Sequence, residues 1–225
     1  MINGNELHIA RLSAWAPGVE GPEEWDEWAR GQRSIAPDMK GPELSFTEPV
    51  FRRRLSQISK MTVQVIHDLL PFDADAKLFF LSFRGELARQ FQINKMLIEE
   101  KELMPAAFSL SVFNAPVALA TIALGLKGGY AALYPAGKNA FAAGLAAAEA
   151  ALVCGAAREI VFAYADEEPP PEYGCFSNEC VPAAFAFLLS RETRDGDILL
   201  PPAEEDGPLD YLKRILLTGK IHVSA

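Results

Sequence analysis

Cysteine and histidine are scarce here: three of each in 225 residues. Cys154, Cys175 and Cys180 are too few and too oddly numbered for a disulfide framework. Cys175 and Cys180 flank "FSNE" in a Pro-rich loop, but a zinc site needs two further ligands and no histidine lies near them. His8, His67 and His222 are scattered, so neither a metal site nor a cofactor is expected. Basic excess is missing too: 21 Lys and Arg against 30 Asp and Glu give a formal charge of -9. That balance argues against nucleic acid as a partner, because phosphate contact needs a basic surface. The longest apolar run without a charge, Ala115 to Leu126, is well short of the roughly 20 residues that span a bilayer. The start, "MINGNELHIARLSAW", lacks the basic segment and apolar core of a signal peptide. A cytoplasmic protein without membrane insertion is the expectation.

Half of the residues are hydrophobic and 23% are charged, a globular composition. No repeat and no linker divides the chain, so residues 1–225 are expected to form one domain. Five apolar segments read as strands: 7–15, 77–83, 130–134, 159–167 and 182–192. Trp25 and Trp28 stand at helical spacing in a Pro- and Gly-rich connection. Arg52 to Leu70 reads as one amphipathic helix, with Leu55, Ile58, Val65, Ile66 and Leu69 near one face and Pro71 ending it. Further helices are expected over 86–103, over 115–126 closed by Gly125, over 139–154 and over 210–217. The Ala- and Gly-rich face of 139–154 predicts a helix lying deep between layers, with Cys154 in the core. Strands alternating with helices indicate an α/β fold with a mixed five-stranded sheet flanked by helices.

The stretch "GGYAALYPAGKNAFAAG" raises the functional question. A short strand feeds a turn at Pro135-Ala136-Gly137 and then a helix, a place where α/β proteins put a nucleophile or a phosphate. The phosphate-loop pattern fails, because Ala132 and Asn139 stand where glycine and a hydroxyl residue are required. No Gly-x-Ser-x-Gly elbow occurs either.

The residues around this turn nevertheless resemble one family. The segment from "FSLSVFNAPVALATIALGLKGG" through "EIVFAYADE" is similar to the region surrounding the active-site cysteine of β-ketoacyl synthases. The likeness includes Asn114-Ala115-Pro116 opening a helix, Gly125-Leu126-Lys127-Gly128 before the strand, and the small-residue helix after the turn. Upstream, "FRRRLSQISKMTVQVI" resembles the family's Arg-rich helix entry, and "FFLSFRGEL" its Ser-x-x-Gly-Glu strand end. The resemblance implies the N-terminal half of a thiolase-like condensing enzyme. It also places the nucleophilic cysteine at Gly137, where no side chain can carry an acyl thioester. Lys138 is a poor substitute, since nothing in the sequence beside it favours a neutral amine. The second α/β half that brings two catalytic histidines in the family has no counterpart in these residues, and His222 sits in the tail "GKIHVSA".

The resemblance is thus to β-ketoacyl synthase-like N-terminal domains and chain-length-factor-like proteins. It implies a non-catalytic subunit that pairs with a β-ketoacyl synthase, or with a second copy of itself, in a type II polyketide, aryl polyene or fatty-acid-like pathway. The strand 130–134 would then pair across a two-fold axis, and the chain would expose a face normally covered. Candidate interface or acyl-channel residues are Phe113, Asn114, Tyr130, Leu133, Tyr134, Lys138, Asn139 and Phe141. Arg52, Arg53 and Arg54, the one dense basic cluster, are candidates for contact with an acyl carrier protein, although a pairing with Glu48 would leave them structural. Two other readings stay open: an acyl-transfer or decarboxylating enzyme that uses the turn's backbone amides as an oxyanion hole, and a self-associating structural protein.

Overall fold

The structure, a computed structural model, describes residues 7–38, 40–73, 75–102, 104–134, 136–173 and 181–224. Pro135, Cys175 and Cys180, which entered the readings above, lie outside the described residues. Six strands form one mixed sheet: β1 (His8–Trp15), β2 (Lys77–Leu81), β3 (Tyr130–Leu133), β4 (Glu159–Asp166), β5 (Ala183–Ser190) and β6 (Ile198–Leu199). Their order is β3-β2-β4-β5-β1-β6. Strands β3, β2 and β4 run parallel, whereas β5, β1 and β6 pair antiparallel in turn. The expected five strands are all present; the sixth has only two residues, too few to show a periodicity in the sequence.

The faces of the sheet differ in bulk, and that difference is written in β4 and β5. Side chains alternate across a strand, so Phe162, Tyr164, Phe185 and Phe187 point to one side, while Ala163, Ala165, Ala184 and Ala186 point to the other. On the aromatic side lie α1 (Pro22–Ala29), α7 (Ala140–Val153) and α8 (Pro208–Leu216). Phe141 of α7 and Tyr211 of α8 meet over this cluster with ring centroids 5.1 Å apart. On the alanine side lie α3 (Gln57–His67) and α6 (Ala115–Leu124). Small residues there leave room for a helix to come close, and eight of the 11 residues of α3 are buried.

Three expectations are corrected. First, the deep helix is α3, not the Ala-rich α7, which keeps Ala143, Ala146 and Ala150 exposed; Cys154, its C-cap, is exposed as well. Alanine is compatible with close packing but does not enforce it. Second, Arg52–Leu70 is not one helix. A short α2 (Pro49–Arg52) ends before Ser56, whose hydroxyl accepts the Ser59 amide at 3.2 Å and starts α3 afresh. Third, the helix after β2 stops early: α4 (Leu87–Glu99) is followed by a separate α5 (Pro105–Ser109), with Pro105 in its first turn. Both faces of the sheet are covered within the chain, because α1 and α8 close the aromatic side. The outer row of α7 and the free edge of β3 remain bare.

Candidate functional site

Strands β2, β3 and β4 are parallel, so their carboxyl ends open on the same side of the sheet, where α/β folds place their sites. Three loops meet there: 82–86 after β2, the turn after β3, and the end of β4 at Asp166-Glu167.

The turn contains Gly137 at φ +96°. An L side chain is strained in that conformation, yet a Cβ built on Gly137 meets nothing within 4 Å. The backbone conformation therefore favours glycine, while the space beside it stays open. Asn139 follows as the N-cap of α7 without a side-chain cap bond. A cavity of about 310 Å³ adjoins the turn; Phe83, Gly137, Lys138 and Phe141 line one side, and Glu205, Asp206 and Asp210 the other. Lys138 is exposed and shares this cavity with the three carboxylates. Asp206 is already paired with Arg214 at 2.6 Å.

The other candidates fall into three places. Phe141 is 1% exposed and belongs mainly to the aromatic core, though it also forms part of the cavity wall. Phe113, Asn114, Tyr130 and Tyr134 gather at the free edge: the Asn114 amide donates to the Tyr130 hydroxyl at 2.8 Å, and the Phe113 and Tyr134 rings meet edge to face at 5.8 Å. Leu133 is half-buried on β3 opposite Leu81. Arg52, Arg53 and Arg54 lie at the entry to α3. The Arg52 guanidinium donates to the carbonyls of Glu43 and Leu44, while only its backbone amide reaches Glu48, at the carbonyl; Arg53 and Arg54 are exposed. A groove of about 290 Å³ runs past Glu43, Arg52, Arg53 and Lys60.

Sequence reasoning missed the buried acids that tie the loop after β2 to the end of β4 and to α3. Asp166 is fully buried and accepts from the Ser82 hydroxyl at 2.7 Å, the Phe83 and Arg84 amides at 3.0 Å each and the Tyr164 hydroxyl at 3.1 Å. Arg84 Nη1 stands 3.7 Å from Oδ2, an ion-pair distance too long for a hydrogen bond. Burial pushes the Asp166 carboxyl up against these opposing contacts. Glu86, also fully buried, accepts from the Ser56 and Ser59 hydroxyls at 2.7 and 2.6 Å and from Arg89 Nε at 2.9 Å. Charged residues ending an apolar strand, in "FAYADE" and "SFRGE", were the available signal.

The family model described as beta-ketoacyl synthase, N-terminal domain, matches residues 25–205. The chain belongs to this family. Among solved structures it is similar to one of a ketosynthase in complex with its chain length factor from Xenorhabdus doucetiae. The identity is 28% and the TM-score 0.69, over 84% of this chain and 80% of that one. It also shares the fold of the ishigamide ketosynthase/chain length factor (14%, TM-score 0.62, 82% of this chain and 62% of that). A chain in the structure of a type II polyketide acyl carrier protein in complex with its ketosynthase shares it too (12%, TM-score 0.59, 83% and 63%). The chain thus spans less than two thirds of those last two relatives. No curated protein matches. The ketosynthase-like, thiolase-type fold expected from the sequence is the one observed. Among the described residues no helix is long and apolar enough to cross a membrane.

Proposed function

We propose that this chain is a non-catalytic, chain-length-factor-like subunit that pairs with a β-ketoacyl synthase in a polyketide or fatty-acid-like pathway. The observation that carries the reading is Gly137: the residue at the nucleophile-equivalent turn has no side chain, and its φ of +96° is one that a cysteine adopts only under strain. The surroundings support it. Of the three histidines, His67 stacks on Phe46 at 3.6 Å, His8 faces Thr193 at 3.0 Å and His222 lies 3.8 Å from Asp26; none lines the cavity beside Gly137. An acyl-transfer or decarboxylating enzyme would need a base at that place.

The free edge of β3 supplies the pairing surface. Its outer side bonds to no strand among the described residues. Tyr130 and Tyr134 are 40% and 67% exposed there, and Ile122 of α6, the helix that precedes β3, is 68% exposed. An unpaired strand edge with exposed apolar neighbours is a template for another chain. The resemblance to a ketosynthase in complex with its chain length factor makes a ketosynthase the favoured partner over a second copy. The arginine groove opens at the same end of the sheet as the turn, because α3 begins beside Glu167; it is the proposed contact for an acidic carrier protein.

The test is co-expression with ketosynthases from the same genome, followed by size-exclusion chromatography with light scattering and by loading with a labelled acyl thioester. A stable heterodimer labelled only on the ketosynthase is expected. A clean monomer that ignores every ketosynthase, or acyl label on this chain alone, overturns the proposal. Arg53→Glu is expected to weaken carrier-protein binding about tenfold while leaving the heterodimer intact; unchanged binding removes the groove from the reading.

A further inference from the structure

Three carboxylates are held out of water at the carboxyl ends of β2 and β4, and among the described residues only two guanidinium groups face them. Asp166 has Arg84 beside it, and Glu86 has Arg89. Glu167 has neither as a hydrogen-bond partner. It is 2% exposed; its Oε2 accepts the Ile58 amide at 3.2 Å, and its Oε1 has no hydrogen-bond partner among the described residues. Ile58 is in the first turn of α3, whose N-cap hydroxyl, Ser56, is itself bound by Glu86 at 2.7 Å. One end of the deepest helix is therefore tied to the sheet by two buried acids, of which Glu86 bonds a guanidinium directly and Glu167, among the described residues, bonds only a backbone amide. Immediately after Glu167, Glu168 to Glu172 form one wall of a groove of about 400 Å³, with Ala88 and Gln92 of α4 opposite.

We propose that Glu167 is a proton-operated latch: it carries a proton while it holds the first turn of α3 to the end of β4, and loss of that proton loosens this junction and the adjoining wall of the groove. The charged groups around it agree. Burial, and then the negative charge of Glu86, push the Glu167 carboxyl up to about 7; the Ile58 amide and Arg89 oppose the rise, and Asp166 adds to it. A group near 7 changes its charge within the physiological range, whereas an ordinary glutamate at 4.5 does not. The folded chain keeps a proton that the unfolded chain releases near 4.5, so the stability contributed by the neutral acid is complete below 4.5 and is lost as pH rises to about 7.

The test compares the full chain with Glu167→Gln, an uncharged side chain of the same shape. The ratio of the variant's folding constant to the wild type's is expected to rise by up to about tenfold per pH unit between 4.5 and 7, then level off. A flat ratio across that window overturns the proposal. Independently of any variant, NMR titration of the Glu167 carboxyl carbon in the wild type is expected to give a midpoint near 7; a midpoint at or below 4.5 overturns it. The latch itself is read by amide exchange at Ile58 to Met61. Above pH 7 these amides are expected to exchange at least tenfold faster in the wild type than in the variant at the same pH, and equal rates refute the loosening.

Discussion

Replacing Gly137 by alanine isolates the backbone term at the turn between β3 and α7. A non-glycine residue held at a positive φ costs on the order of 1–3 kcal/mol. The new methyl adds no clash, since nothing lies within 4 Å of the Cβ position. Against this, alanine restricts the unfolded chain and returns about 0.4–1 kcal/mol. The expected net loss is roughly 0.5–2 kcal/mol, or a fall in Tm of about 2–6 °C for a chain of this size. Urea unfolding with an unchanged slope measures it. Gly137→Cys carries the same backbone cost and adds a thiol beside an open cavity. That thiol is expected to react with alkylating reagents but not to turn over acyl thioesters, because none of the described histidines reaches the cavity. An alanine variant as stable as the wild type, or more so, would refute the argument that the turn is shaped for glycine. A cysteine variant that condenses acyl groups alone would refute the argument that no described histidine serves this turn.

At the free edge, Tyr134→Glu removes one ring contact with Phe113 and places a charge beside the unpaired strand. It is expected to weaken partner association at least about tenfold while lowering monomer stability by only about 1 kcal/mol, measured by light scattering and urea unfolding. Gly144 marks where α7 approaches the sheet: a Cβ there would run into Leu81 Cδ1. Gly144→Ala gains about 1 kcal/mol of helix propensity but incurs overpacking of about 1–3 kcal/mol, so a net loss of up to about 2 kcal/mol is expected in urea unfolding. Asp166→Ala deprives two amides and two hydroxyls of their acceptor inside the core, and a loss of about 3–5 kcal/mol is expected, measured by the same unfolding curves.

Hydrophobic pattern was enough to find the five longer strands and most helices, because each announces itself within a few residues. Depth was harder to read. How closely a helix approaches a sheet depends on the residues it meets, and the alternation of Phe and Ala in "VFAYA" and "AAFAF" determined this: the alanine side admits α3, and the aromatic side holds α7 and α8 further out. The composition of α7 alone pointed the wrong way. The turn at Gly137 was legible because an apolar strand, a glycine and a small-residue helix follow one another within a few residues. The acid network was not, because it depends on register. Strands β2 and β4 pair with Leu81 beside Tyr164, although these residues are far apart in sequence. That pairing brings Ser82, Phe83 and Arg84 onto Asp166, and the same loop carries Glu86 to the foot of α3, near Glu167. A buried carboxylate read in isolation looks like an error in an apolar strand; once the parallel pairing is known, it becomes the tie that fixes the loop beside the turn. The residues that set the shape of this end of the sheet are therefore those whose meaning appears only after the strands are paired, and Glu167, buried near Glu86 with the Ile58 amide as its hydrogen-bond donor, is one of them.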